Sequence, residues 1–145
     1  MKKTFIIILT TLIIVMAILY AKYISYKSNL SEIKQNNQVY EYYLNKEVYA
    51  NELATLINKA VDNNEKNKIP KDENGFYIEG QENSIKIQIT TIDLDKDTTY
   101  NMESFYNSGL EKFYMLYREI LFECTKIEYD SKGKVNYMLF VQRTT

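Results

Sequence analysis

The chain has 145 residues with 18 basic and 19 acidic side chains, a formal net charge of -1, no histidine, no tryptophan and one cysteine. That length fits one small globular unit. A single thiol excludes an intramolecular disulfide, the lack of histidine removes the commonest zinc ligands, and the near-neutral balance leaves no basic footprint for nucleic acid. No cofactor is expected. The abundance of Lys, Asn, Ile and Tyr has the look of an AT-rich bacterial genome.

The first element is an apolar run. Residues Thr4 to Ala21 carry no charge and lie between Lys2 and Lys3 on one side and Lys22 on the other. Phe5, Ile6, Ile7, Ile8, Leu9, Leu12, Ile13, Ile14, Val15, Met16, Ile18 and Leu19 make the run hydrophobic on every face. As a helix it spans roughly 27 Å, close to a hydrocarbon core of about 30 Å. Tyr20, Tyr23 and Tyr26 are then placed for the headgroup level. Val15-Met16-Ala17 offers a small-residue cleavage pattern, but Ile18, Leu19 and Tyr20 continue the apolar run where a polar break belongs. Residues 1–22 are therefore expected to be an uncleaved transmembrane signal anchor with membrane lipid as its partner. No cysteine lies near the run, which excludes a bacterial lipoprotein. The flanking charges nearly tie, and the compact Lys2-Lys3 region before the run, typical of export signals, sets the expected orientation. The N-terminus is inside and the soluble domain is extracytoplasmic, on a single-pass protein of the cytoplasmic membrane.

Residues 23–67 are helix-prone and free of Gly and Pro, and form a stalk and amphipathic helical segment. Tyr23, Tyr26, Leu30, Ile33, Asn37, Tyr40 and Leu44 follow a 3-4 spacing. Such a seam packs on the protein's own sheet, on a protein partner, or on an identical helix in a parallel dimer, where a buried Asn37 would fix register. A broader stripe of Tyr49, Leu53, Leu56, Ile57, Ala60, Val61 and Asn64 predicts a second helix lying on a sheet. Residues 68–145 supply the sheet of the same domain. Pro70 and Asn74-Gly75 punctuate a polar connector from Asn63 to Gly75. A short strand is expected at Phe76 to Glu79. Ser84 to Ile92 alternates with Ile85, Ile87 and Ile89 on one face. After an acidic turn, Thr98 to Tyr100 reads as a brief edge strand and Met102 to Tyr117 as a helix. The packing face of that helix is Met102, Phe105, Tyr106, Gly109, Phe113, Leu116 and Tyr117. Ile120 to Tyr129 and Val135 to Gln142, joined by Asp130-Ser131-Lys132-Gly133, read as a β-hairpin. The fold class is α+β, with helices packed on an antiparallel sheet of three to five strands.

Motifs for chemistry are incomplete. Asp93, Asp95 and Asp97 open a calcium-loop pattern, but its sixth position is Thr98 instead of Gly and its twelfth is Ser104. Ser31-Glu32-Ile33-Lys34 spells the S-x-x-K of penicillin-binding enzymes without the companion motifs. Cys124 has no histidine to activate it and is expected to be core. Glu119, Glu123 and Glu128 read as a solvated sheet face. Asn29-Leu30-Ser31 is formally a glycosylation acceptor, relevant only in a eukaryote. No catalytic, cofactor or metal residue is assigned, and the protein is expected not to be an enzyme.

The stretches ELATLINKAVDNNEKNKIPKDENGFYIE, SIKIQI and ECTKIEY resemble uncharacterised small membrane-anchored proteins of clostridial-type bacteria. That resemblance implies no activity. A hydrophobic N-terminal helix leading into a helix-on-sheet domain is similar in architecture to pilins and pseudopilins, although MKKTFIIILTT lacks the Gly cleavage site and the Glu of that family. The function expected is a membrane-anchored extracytoplasmic interaction or assembly protein of the cell envelope, with an accessory role to a pilus or secretion apparatus as its finer form. The alternative is an extracytoplasmic ligand-binding or sensing module, with its pocket between the Met102 to Tyr117 helix and the sheet.

Overall fold

Helix α1 runs unbroken from Lys2 to Glu41 in the computed structural model, which describes residues 2–93 and 96–144. No Gly or Pro interrupts it, so no position in it carries the large helix penalty of those two residues. Two compact units divide along this helix, one up to Gln35 and one from Asn36 onward. In the first unit the residues are exposed throughout the apolar run.

The second unit begins with the last turns of α1, where Asn37 and Tyr40 are buried. Beyond Glu41 the amides of Tyr43 and Leu44 bond back to the carbonyls of Tyr40 and Glu41 in a tightened closing turn. Asn45 then takes a left-handed φ of 57°, which Asn tolerates better than most residues. The 3-4 spacing carried the helical seam as far as Leu44. The helix stops one turn earlier, and Leu44 sits in a bridge beside Cys124. The amide of Asn45 donates to the Cys124 carbonyl at 2.9 Å, and the Cys124 amide donates to Lys46 at 3.2 Å. These long-range partners are invisible to local periodicity.

Strand β1 (Glu47–Tyr49) follows, then helix α2 (Ala50–Lys66). The stripe anticipated for α2 is buried from Leu53 through Leu56, Ile57, Ala60 and Val61 to Asn64, whereas Tyr49 lies just before the helix and is half exposed. The segment expected as a strand at Phe76 to Glu79 forms only one bridge, Lys71 to Tyr77. Strands β2 (Lys86–Asp93) and β3 (Lys96–Asn101) form a hairpin, and β2 alternates with Ile87 and Ile89 fully buried. Helices α3 (Met102–Ser108) and α4 (Leu110–Tyr117) come next, then β4 (Leu121–Tyr129) and β5 (Val135–Gln142).

The expected single helix from Met102 to Tyr117 is therefore two. Gly109 adopts φ 97° and ψ 117°, a conformation that costs Gly little and other residues much, so the axis changes there. That break explains why Leu116, assigned to the packing face, is instead 77% exposed. After the break Leu110, Phe113 and Tyr117 turn inward, and the spacing restarts from Gly109. At the β4-β5 turn the Asp130 carboxylate accepts the amides of Lys132 and Lys134, and Gly133 supplies a φ of 80°. This is the turn chemistry that the residue types announce.

The five strands lie in the order β1-β4-β5-β2-β3. Three pairs are antiparallel, and the central β2-β5 pair is parallel, from Lys86 opposite Tyr137 to Thr90 opposite Val141. The sheet is mixed, where an all-antiparallel one was expected. An alternating strand reads the same in either polarity, and β5 lies beside β2 because the β4-β5 hairpin inserts between β1 and β2. Register shifts around Thr125 and at Glu128/Tyr129 bend β4.

Two asparagine side chains hold the beginnings of the parallel pair. Asn64 on α2 donates from Nδ2 to the Ile85 carbonyl at 2.7 Å and accepts the Ile85 amide at 2.8 Å. On α1, Asn37 donates to the Gly133 carbonyl at 2.8 Å and accepts the Val135 amide at 2.9 Å. Each primary amide mimics a strand neighbour with one donor and one acceptor. Over this edge the core closes with Leu53, Leu56 and Ile57 against Ile85, Ile87, Met138, Phe140 and Phe122. Each such side chain contributes roughly 1.5–3 kcal/mol on burial.

Asn64→Ala leaves two buried backbone groups unpaired and is expected to lower stability by about 2–4 kcal/mol, with Asn37→Ala costing about 1–3 kcal/mol. Urea unfolding of the full chain in detergent measures both, against exposed Asn58→Ala, which should change stability by less than about 0.5 kcal/mol. Equal midpoints for Asn64→Ala and Asn58→Ala would refute the clamp.

Candidate functional site

The apolar run of α1 is the feature with the clearest chemical demand. From Phe5 to Leu19 its large apolar side chains are 45–67% exposed, and none of the span is buried within the protein. Soluble monomers rarely expose a contiguous apolar surface beyond a few hundred Å². Two hydroxyls within the run are already satisfied: Thr10 donates to the carbonyls of Ile6 and Ile7, and Thr11 to Ile7 at 2.8 Å. A hydroxyl bonded to the preceding turn leaves no donor seeking water. By length and composition this one helix can cross a membrane or act as a signal.

The structure divides the seam residues between the two units. Tyr23, Tyr26 and Leu30 are 60%, 63% and 46% exposed, and Ile33 is half-buried. Asn37 and Tyr40 belong to the folded unit, with Tyr40 in the hydrophobic core and Asn37 on the β4-β5 hairpin. Of the partners that the spacing allowed, the protein's own sheet takes this end. The amide that would have set register between two copies is already occupied.

The remaining sequence candidates do not converge. Ser31 and Lys34 are exposed on one helix turn with no companion motif to activate them. Asp93 accepts hydrogen bonds from Thr91 and from the Tyr100 hydroxyl, Asp97 is exposed on β3, and Asp95 lies outside the described residues. Among the described residues no cluster of three or more His, Cys, Asp or Glu is arranged to hold a metal ion. Cys124 is fully buried, its Sγ 3.7 Å from the Lys126 carbonyl. Glu123 pairs with Arg143 at 3.2 Å, Glu128 pairs with Lys126, and Glu119 pairs with its neighbour Arg118. Each carboxylate thus has a separate cation.

Much of the space between α3, α4 and the sheet, where a ligand pocket was expected, is taken up by aromatic rings. Phe105 and Phe113 stack at 4.7 Å between ring centroids, Phe113 and Tyr117 at 5.2 Å, and Phe113 and Phe122 at 5.9 Å. Two cavities are open among the described residues, one beside the start of α3 and the strands and one at the loops. One of about 310 Å³ is lined by Asp72, Phe76, Tyr77, Lys86, Asn101 and Glu103, among others, and another of about 300 Å³ includes Gln81, Glu82, Lys132 and Asn136. Their charged groups are largely engaged, with Lys86 on Glu79 and Lys132 on Glu82.

Glu103 was missed by the sequence reading. It is 4% exposed at the start of α3; Oε1 accepts the Tyr77 amide at 3.0 Å, and Oε2 is buried without a partner. An acidic residue in a first helical turn is ordinary. Only the loop from Lys71 to Tyr77 folding over it makes it interior, and no local signal marks that.

Compared with protein-family models, with curated proteins and with solved structures, the chain matches none.

Burial pushes several groups of the folded unit upward, among them the Cys124 thiol from 9.0 to about 11 and the Tyr40 phenol to about 12. Tyr77 also rises to about 12, through burial first and then the carboxylates of Glu65 and Glu103. The folded state thus favours the neutral forms. Their contribution is complete below the unfolded values of 9.0 and 10.0 and is lost as pH rises through 11 to 12. Urea midpoints are expected to be level from pH 7 to 8.5 and to fall steeply between about pH 9 and 12, with Tyr40→Phe flattening the upper part of the fall. A midpoint unchanged at pH 11 would contradict the assignment.

Proposed function

We propose that the protein is a single-span, membrane-anchored interaction or assembly protein of the bacterial cell envelope, with the unit from Asn36 onward presented outside the cytoplasmic membrane. The observation that carries this reading is α1 itself. Its first half is an uncovered apolar helix whose Thr10 and Thr11 hydroxyls bond to the preceding turn, and its last turns bury Asn37 and Tyr40 in the folded unit. A segment built in this way is a tether for whatever the folded unit does.

Retention of the helix is supported by its continuity. Ile18, Leu19 and Tyr20 extend both the helix and the apolar surface past Ala17, so a peptidase would meet helix where it needs extended chain. An outward orientation is supported by Lys2 and Lys3 preceding the run. A non-enzymatic role is supported by the side chains, since Glu119, Glu123 and Glu128 are each paired with a different cation and the thiol is sealed. An accessory place beside a pilus or secretion apparatus is the finer form of this proposal, supported by the pilin-like order of apolar helix and helix-on-sheet unit. The sensing alternative keeps one support, the cavity of about 310 Å³ beside Glu103 at the start of α3, although Phe105, Phe113 and Phe122 fill the space further along.

The full chain is expected to stay in the membrane pellet through alkaline carbonate extraction, with an intact mass that includes the N-terminal run. Deletion of residues 4–21 should move it to the soluble fraction. Externally added protease should digest the folded unit in spheroplasts and spare it in inverted vesicles. A mature N-terminus at Ile18 would replace the anchor with a cleaved signal.

A further inference from the structure

The water-exposed part of α1 carries a narrow apolar line whose flanks have one sign of charge. Tyr23, Tyr26, Leu30 and Ile33 continue the 3-4 spacing that Leu9, Leu12, Met16 and Leu19 hold within the apolar run. With Tyr23 and Leu30 as a positions and Tyr26 and Ile33 as d positions, the flanking g positions are Lys22 and Asn29 and the flanking e positions are Lys27 and Lys34. All three lysines are exposed, and no carboxylate occupies a flanking position.

Two identical helices side by side would set Lys22 of each against Lys27 of the other, twice. Like charges at these positions oppose pairing, and opposite charges select partner and orientation. Asn37, the next a residue and the natural register lock, is spent on Gly133 and Val135. Within the bilayer the hydrophobic effect favours no partner, because lipid tails are equally apolar, and residues 4–21 contain no Gly for close helix approach. The charged selectivity of α1 lies in the juxtamembrane turns. Anionic headgroups account for Lys22 but not for the whole set: Lys34 is twelve residues further on, roughly 18 Å of helix axis, and a surface potential fades within a Debye length of about 8 Å.

We propose that the Tyr23 to Ile33 face of α1 docks a second single-span protein, one whose parallel juxtamembrane helix carries apolar a and d residues flanked by Glu or Asp. Lys22, Lys27 and Lys34 select that partner over a second copy of this chain. The proposal rests on α1 being a retained membrane anchor.

The test uses the full chain with Leu30→Cys as a cross-linking point, since facing a positions in a parallel pair lie within disulfide reach. A second, differently tagged copy also carries Lys22→Glu, Lys27→Glu and Lys34→Glu, and stands in as the acid-flanked partner. The copies are reconstituted in phosphatidylcholine vesicles, alone and mixed, and oxidised. At low salt the lysine-glutamate pair is expected to give at least about five-fold more cross-linked dimer than either the lysine pair or the glutamate pair. That advantage should shrink towards unity in about 0.5 M NaCl. Equal cross-linking in all pairs overturns the proposal and assigns the face to a second copy of this chain. Absence of cross-linking in every pair overturns it as well and leaves the lysines to lipid headgroups. Flotation of the same samples separates the two levels of inference. Copies that do not float with the vesicles overturn the anchor reading and the proposal together, whereas floating copies without charge selectivity overturn the proposal alone.

Discussion

Each of the two parallel strands of the sheet starts from an asparagine on a helix, and the rest of the fold is arranged around that constraint. Asn64 brackets the backbone of Ile85 and Asn37 brackets Gly133 and Val135, so the parallel β2 and β5 begin at fixed points on α2 and α1. A buried amide that satisfies both a donor and an acceptor removes two desolvation penalties at once, each about 1–3 kcal/mol if left unmade. It also fixes register, because a shift of one residue would put Ile85, Ile87 and Ile89 on the wrong face.

From those two points the packing follows. α2 lays its apolar stripe on the sheet, α3 and α4 close the space beside it with aromatic rings, and β1 pairs with β4 as the chain leaves α1. Helix α1 thus belongs to both units, and its halves obey different rules. Residues 4–21 are apolar on every face and uncovered, whereas Asn37 and Tyr40 sit in a water-excluding core. The stretch between them is exposed on one narrow apolar line with lysine flanks.

Much of the architecture is legible in the residues. The strand limits of β5, the buried face of β2 and the stripe of α2 all follow from periodicity, since half-buried elements must alternate at their own repeat. The hairpin turn is announced by Asp130 and Gly133 because their side-chain and backbone chemistry is local. Gly109 was visible too, but a helical pattern on both sides masked a break that only its positive φ reveals. Leu116 was misplaced for that reason alone.

The sequence by itself determined the apolar helix and the α+β class, because each depends on composition or on neighbours within a few residues. The tertiary structure decided the parallel β2-β5 pairing, the end of α1 at Glu41 and the burial of Glu103. It also decided what Asn37 binds, since the same 3-4 spacing admits a second helix or the protein's own hairpin, and only long-range contact chooses between them. Local pattern specifies which face of an element is apolar. What that face meets is set by residues nearly a hundred positions away.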